Sequence, residues 1–109
     1  QLCDRVSGYI KLHASEIRDN KELALKFGYH AVYLGEVFKK STGKTLHEEI
    51  ILQKVALAKR YLEQTAFSVE EIADAVNFSS RAYFCTVFKK YTKMTPLAYR
   101  KMQERNAKE

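Results

Sequence analysis

Turn-forming residues are scarce in this chain, which has one proline and four glycines in 109 residues. An all-β fold needs a richer supply of them, so the shortage favours helices. Tryptophan is absent, and the two cysteines, Cys3 and Cys85, lie far apart without Cys-x-x-Cys spacing. That pattern favours two free thiols in a reducing cytoplasm over a lone disulfide. No apolar run approaches the roughly 18 residues that would span a bilayer, and no signal peptide is visible. His13, His30 and His47 are scattered, without His-x-x-x-His spacing or a nearby cysteine. Surface or capping histidines are therefore favoured over metal ligands, and no cofactor is expected.

What the chain does have is positive charge: 19 lysines and arginines stand against 13 acidic residues, a net charge of +6. Hydrophobic residues make up 46% of the sequence, enough for a core, which argues against a disordered basic tail. The length fits one compact domain or two very small ones, burying roughly 65% of the unfolded surface. A basic helical domain points to polyanions, nucleic acid ahead of an anionic membrane surface. The chain opens on Gln1 rather than methionine, which suggests a piece of something longer.

Capping signals divide the sequence into seven helices with no convincing strand. The first covers about Asp4 to His13, with Val6, Tyr9, Ile10 and His13 on one face. Asp19 and Glu22 read as a capping box opening a helix through Phe27, which Gly28 ends. A third helix runs from Ala31 to about Ser41 and stops near Gly43. Thr45 and Glu48 open a long one to about Glu63. Ser68 and Glu71 start a short helix ending at Asn77, and Ser79 or Ser80 caps the next, to about Tyr91. Thr95 and Pro96 then supply a cap and a first-turn proline for a last helix through about Glu104.

Two stretches of this pattern repeat. Glu22-Leu23-Ala24-Leu25-Lys26-Phe27-Gly28-Tyr29 aligns with Glu71-Ile72-Ala73-Asp74-Ala75-Val76-Asn77-Phe78 at an offset of 49. Tyr33-Leu34-Gly35-Glu36-Val37-Phe38-Lys39-Lys40 aligns with Tyr83-Phe84-Cys85-Thr86-Val87-Phe88-Lys89-Lys90 at an offset of 50. Each copy is a short helix, a tight turn and a second helix, with an alanine (Ala24, Ala73) where the helices cross. An aromatic (Tyr29, Phe78) follows each turn. This is the helix-turn-helix pattern, whose second helix can lie in a DNA major groove.

Helical spacing turns Leu34, Val37 and Phe38 inward in the first copy and Phe84, Val87 and Phe88 inward in the second. Ala31, Val32, Gly35 and Glu36, with Arg81, Ala82, Cys85 and Thr86, are left outward as candidates for base contact. Arg81 is favoured as a base reader, since arginine can grip guanine with two hydrogen bonds, over contact with phosphate or water alone. Gly35 has no side chain to read a base, though its lack of one permits close backbone approach. From Ala75 through Gln103 there is no acidic residue, while Arg81, Lys89, Lys90, Lys93, Arg100 and Lys101 are basic. Lys39, Lys40, Lys44, Lys54, Lys89, Lys90 and Arg100 are the candidates for phosphate contact, which positions a protein without reading sequence.

The chain resembles the DNA-binding domain of the AraC/XylS family of bacterial transcription regulators. The resemblance runs from about Ile17 to Arg100 and is carried by Lys54-Val55, Ala58, Glu71-Ile72-Ala73, Asn77-Phe78-Ser79, Tyr83-Phe84, Val87-Phe88-Lys89-Lys90, Thr95-Pro96 and Tyr99-Arg100. Asn77 stands where glycine is customary, Lys54 where arginine is usual, and Lys93-Met94 in a stretch where glycine is common. Glu36 and Thr86 stand where the family often has arginine, so no relative's base preference is carried over.

The family pattern implies an all-α module over residues 1–109, built from two helix-turn-helix subdomains. The first unit is 17–44, the linker helix 45–65, and the second unit with a closing helix 66–104. It implies that the two recognition helices enter successive major grooves of promoter DNA. Adjacent grooves are about 34 Å apart, and a linker helix of about 18 residues is about 27 Å long. RNA polymerase is the expected protein partner. An upstream effector-binding, receiver or dimerisation domain is expected outside these residues, and a cytoplasmic location follows. The competing reading is a helical protein-interaction module whose basic face meets an acidic partner. No nucleophile–base pair, metal cluster or glycine-rich phosphate loop supports an enzyme.

Overall fold

A computed structural model describes residues 1–108; Glu109, the last residue of the expected module, lies outside the described residues. Among the described residues the architecture is all-helical, with seven α-helices and no strand. In chain order these are α1 (Leu2–His13), α2 (Asn20–Lys26), α3 (Ala31–Thr42), α4 (Leu46–Gln64), α5 (Val69–Ala75), α6 (Arg81–Thr92) and α7 (Pro96–Ala107). A 3₁₀ turn at Ala14–Glu16, not anticipated from the sequence, follows α1. The chain forms two compact units, Gln1–Gln53 and Lys54 onward, and the division falls inside α4.

The helix boundaries follow from where orphan backbone N–H groups find acceptors. Ser68 makes the complete capping box: its Oγ accepts from the Glu71 N–H at 3.0 Å, and Glu71 Oε1 accepts from the Ser68 N–H at 2.8 Å. Thr45 and Glu48 form the same reciprocal pair at 3.0 and 2.8 Å. The third pair differs. Asp19 accepts from the Glu22 N–H at 2.9 Å, but the Glu22 carboxylate accepts from Arg18 rather than from Asp19. Of the two serines before α6, Ser80 is the cap, accepting from the Tyr83 N–H at 3.0 Å. Helix α5 ends two residues earlier than the sequence suggests because Asn77 takes φ +64°, which no α-helix accommodates.

In the first unit, α1 begins earlier than expected and buries Cys3 beside Val6 and Ile10. These pack with Leu23, Ala24, Leu34, Phe38, Leu46 and Ile50 in one cluster. His13 is not part of that core; it stacks on Tyr9 and shares a hydrogen bond with Glu16 at 2.8 Å. In the second unit the buried face of α4 (Val55, Ala58, Leu62) and that of α5 (Val69, Ile72, Ala73) supply aliphatic bulk. An aromatic run from Phe78 through Phe84 and Phe88 to Tyr99 continues the core, with ring centroids 5.2 to 5.7 Å apart. Fully burying one such side chain contributes about 1.5–3 kcal/mol, so this run is a large part of the second unit's stability.

The repeat extends past the recognition helices. Thr42 Oγ1 donates to the Phe38 carbonyl and accepts from the Lys44 N–H; Thr92 does the same with Phe88 and Met94. The residue after each threonine is left-handed: Gly43 at φ +81° and Lys93 at φ +65°. Lysine therefore bears there a strain that glycine does not. Lys93→Gly is expected to raise the stability of the second unit by about 0.5–1 kcal/mol, strain relief less the larger unfolded-chain entropy of glycine. Urea denaturation checks this, and a fall in midpoint would mean that the lysine stem stabilises more than the strain costs.

Helix α7 is fastened to the end of α4 within the second unit by the Tyr99 hydroxyl, which donates to Glu63 Oε2. Burial first, then the hydrogen bond and negative charge of Glu63, push the Tyr99 phenol up from 10.0 to about 12. A raised phenol means that the folded state holds the proton more tightly than the unfolded chain. The contribution is complete below pH 10 and is lost as pH rises through about 12. Thermal melts between these values should therefore fall more steeply for the native chain than for Tyr99→Phe; parallel curves would deny the linkage.

Candidate nucleic-acid interface

Both helix pairs turn through the same backbone device. The Tyr29 N–H reaches back to the Ala24 carbonyl at 2.9 Å, and the Phe78 N–H to the Ala73 carbonyl at 2.9 Å. Closing so tight a loop requires a left-handed residue just before the aromatic, and Gly28 (φ +79°) and Asn77 (φ +64°) occupy those places. Ala24 and Ala73 are buried at the crossings, where a larger side chain would push the helices apart. Each second helix is then capped by a side chain: His30 Nδ1 accepts from the Val32 N–H in α3, and Ser80 serves α6.

The inward residues fall as the spacing requires. Leu34 and Phe38 are buried with Val37 half-buried, and Phe84, Val87 and Phe88 are all buried. Outward on α3, Val32 and Glu36 are exposed while Ala31 and Gly35 are half-buried. A methyl group added at Gly35 would meet nothing within 4 Å, so no contact inside the protein demands glycine there. Outward on α6, Arg81, Ala82 and Thr86 are exposed and Cys85 is half-buried. The Thr86 hydroxyl donates to the Ala82 carbonyl at 3.1 Å, leaving its methyl and oxygen lone pairs for a ligand. Lys39, Lys40, Lys89 and Lys90 are exposed at the C-terminal ends of these two helices. Lys44 is shared with Glu49, 3.2 Å away.

The family profile described as a helix-turn-helix domain matches residues 23–102. The chain belongs to the AraC/XylS-type helix-turn-helix family. It is 40% identical over 67 residues to the xylose operon regulatory protein of Haemophilus influenzae, covering 62% of this chain and 17% of that protein. It is 35% identical over 101 residues to the bifunctional transcriptional activator/DNA repair enzyme AdaA of Bacillus subtilis, covering 93% of this chain and 48% of that one. The chain thus spans less than half the length of these curated relatives. Among solved structures, the DNA-binding domain of the global transcriptional factor AdpA, in complex with a target DNA, superposes with a TM-score of 0.85. That match has 26% identity and covers 95% of this chain and 94% of that one.

Two cations expected at phosphate have partners within the protein, one of them buried. Lys54 is 3% exposed; its Nζ donates to the Asn77 carbonyl at 2.8 Å and lies 5.5 Å from the centre of the Phe78 ring. It holds the turn before α6 rather than facing solvent. The register gives this away, because Ile50, Lys54, Ala58 and Leu62 recur every four residues along one stripe of α4. Arg100 is half-buried, its Nε on the Leu62 carbonyl and its Nη2 on the Thr65 carbonyl, both at 3.2 Å, where it caps the end of α4. Its place four residues after the buried Pro96 carries the same signal. Among the described residues no group of three or more His, Cys, Asp or Glu is placed to hold a metal ion. No helix among them is long and apolar enough to cross a membrane.

Lys54→Met keeps the buried stem but removes the donor to Asn77. The expected cost is about 1–3 kcal/mol in urea denaturation. An unchanged midpoint with weakened binding to polyanions would return Lys54 to the surface role.

Proposed function

We propose that this chain is the DNA-binding output module of a bacterial transcription regulator, with α3 and α6 each occupying a major groove of promoter DNA. The observation that carries it is the outward face of α6. Arg81, Ala82 and Thr86 stand exposed with Lys89 and Lys90 on the same helix, in a stretch free of acidic residues from Ala75 through Gln103. Side chains able to meet base edges are thereby bordered by cations able to meet phosphates. The likeness to the AdpA domain solved on target DNA supports the same reading.

Base contacts are assigned to Arg81, Ala82, Cys85 and Thr86 on α6, and to Ala31, Val32, Gly35 and Glu36 on α3. Phosphate contacts are assigned to Lys39, Lys40, Lys44, Lys89 and Lys90. Residues 17–44 and 66–104 are the working units and 45–65 the link between them. The greater length of the curated relatives supports an upstream effector-binding, receiver or dimerisation domain in the whole protein. RNA polymerase is its protein partner and the cytoplasm its location.

Selection from a random duplex library, followed by anisotropy titration of the winning site against unrelated duplex, tests this. The selected site should win by at least about 10³-fold, with both affinities falling as salt rises. Arg81→Ala should cost about 1–3 kcal/mol on the selected site and relax preference at one base pair. An unchanged preference at every position removes Arg81 as a base reader, and a library that yields no preferred site sinks the proposal.

A further inference from the structure

The sequence alignment pairs Tyr33 with Tyr83, and the structure gives both the same unusual setting. Each is the third residue of its recognition helix, and each is a large aromatic left 53% and 40% exposed respectively. Neither ring is loose. Tyr33 stacks on Tyr29 and Tyr83 meets the edge of Phe78, both at 5.6 Å between centroids, so the aromatic that follows each left-handed turn buttresses the tyrosine. Among the described residues neither hydroxyl has a hydrogen-bond partner. A phenol held by its ring with its hydroxyl in solvent is a preset donor.

Position along the helix says what it is set for. Tyr33 and Lys40 are seven residues apart, as are Tyr83 and Lys90, which is nearly two turns. Each tyrosine therefore shares one edge of its helix with a lysine about 10 Å further on. The other edge carries Gly35 and Lys39 in α3, and Cys85 and Lys89 in α6, while Val32, Glu36, Ala82 and Thr86 lie between the edges. A donor and a cation in line along the border of a base-reading face match a phosphate backbone along the wall of a groove. Tyrosine is among the side chains that donate to phosphate oxygens.

We infer that Tyr33 and Tyr83 are a repeated pair of phosphate clamps, each donating its hydroxyl to the DNA backbone and fixing how its recognition helix enters the groove. This rests on the DNA-binding reading above. The test is Tyr33→Phe and Tyr83→Phe, which keep the buttressed ring and delete only the hydroxyl, measured on the selected duplex and on unrelated duplex. Each variant should bind both duplexes about tenfold more weakly, with its melting temperature unchanged.

Replacing single phosphates of the selected duplex by neutral methylphosphonate should reveal one position per tyrosine at which the phenylalanine variant loses nothing further. Phenylalanine variants that bind like the native chain overturn the inference alone. So does a loss confined to one base pair, which would make the tyrosine a base reader, or a loss matched by a fall in melting temperature. A native chain that binds no duplex overturns the DNA-binding reading together with this one.

Discussion

The backbone hydrogen bond from the aromatic N–H to the crossing alanine, Tyr29 to Ala24 and Phe78 to Ala73, is the constraint on which each unit depends. It closes only if the preceding residue is left-handed and the alanine is small. Once closed, it aims the aromatic into the angle between the helices and starts the second helix one residue beyond its cap. Everything offered to a ligand follows from that angle: the inward triplet on one side of α3 or α6 leaves a defined set of residues on the other. The fold therefore sets the recognition surface through two backbone bonds and their supporting packing, not through contacts among the exposed residues themselves.

The two units reach this geometry by different chemistry. In the first, glycines occupy both left-handed positions, Gly28 and Gly43. In the second those positions are Asn77, a residue type that tolerates the left-handed region, and Lys93, for which it costs roughly 1–2 kcal/mol. The second unit also has long-range side-chain fastenings, one of which reaches a left-handed residue. Lys54 grips the Asn77 carbonyl from inside, Arg100 holds the Leu62 and Thr65 carbonyls at and just past the end of α4, and Tyr99 is tied to Glu63. An unusual backbone conformation persists where the surroundings over-determine it, and at Asn77 the surroundings include the Lys54 amino group on its carbonyl.

How much was legible in the sequence depended on whether the signal was local. Ser68 with Glu71, Thr45 with Glu48 and Thr95 with Pro96 mark helix starts by residue type alone, and the chain begins helices there. The inward triplets were legible because apolar residues at i, i+3 and i+4 admit one burial face. The burial of Lys54 and the carbonyl partners of Arg100 were not legible, because a cation's charge says nothing of its register on the helix. A long stem can lie along apolar surface and deliver its head to a carbonyl deep in the fold, and only three-dimensional packing supplies that carbonyl. The 3₁₀ turn after α1 and the reach of Glu22 to Arg18 rather than Asp19 escaped for the same reason, since each is settled by where the neighbouring segment leaves a free N–H.

Engaging Lys54 and Arg100 with backbone carbonyls concentrates the remaining electrostatics instead of weakening it. With those two engaged by carbonyls and Lys44 shared with Glu49, the exposed cations on the two recognition helices, besides Arg81 at the start of α6, are Lys39 and Lys40 on α3, and Lys89 and Lys90 on α6. These are adjacent pairs at matching positions, and adjacent residues on a helix diverge by about 100°. One lysine of each pair therefore borders either edge of its outward face. A face with a cation on each side and Val32 and Glu36, or Ala82 and Thr86, between them is symmetric about the line along which a groove floor would lie. Glu36 breaks the likeness at the centre of α3 by placing negative charge where α6 has a threonine. Two units with the same borders and different centres can share a mode of docking while differing in what they read.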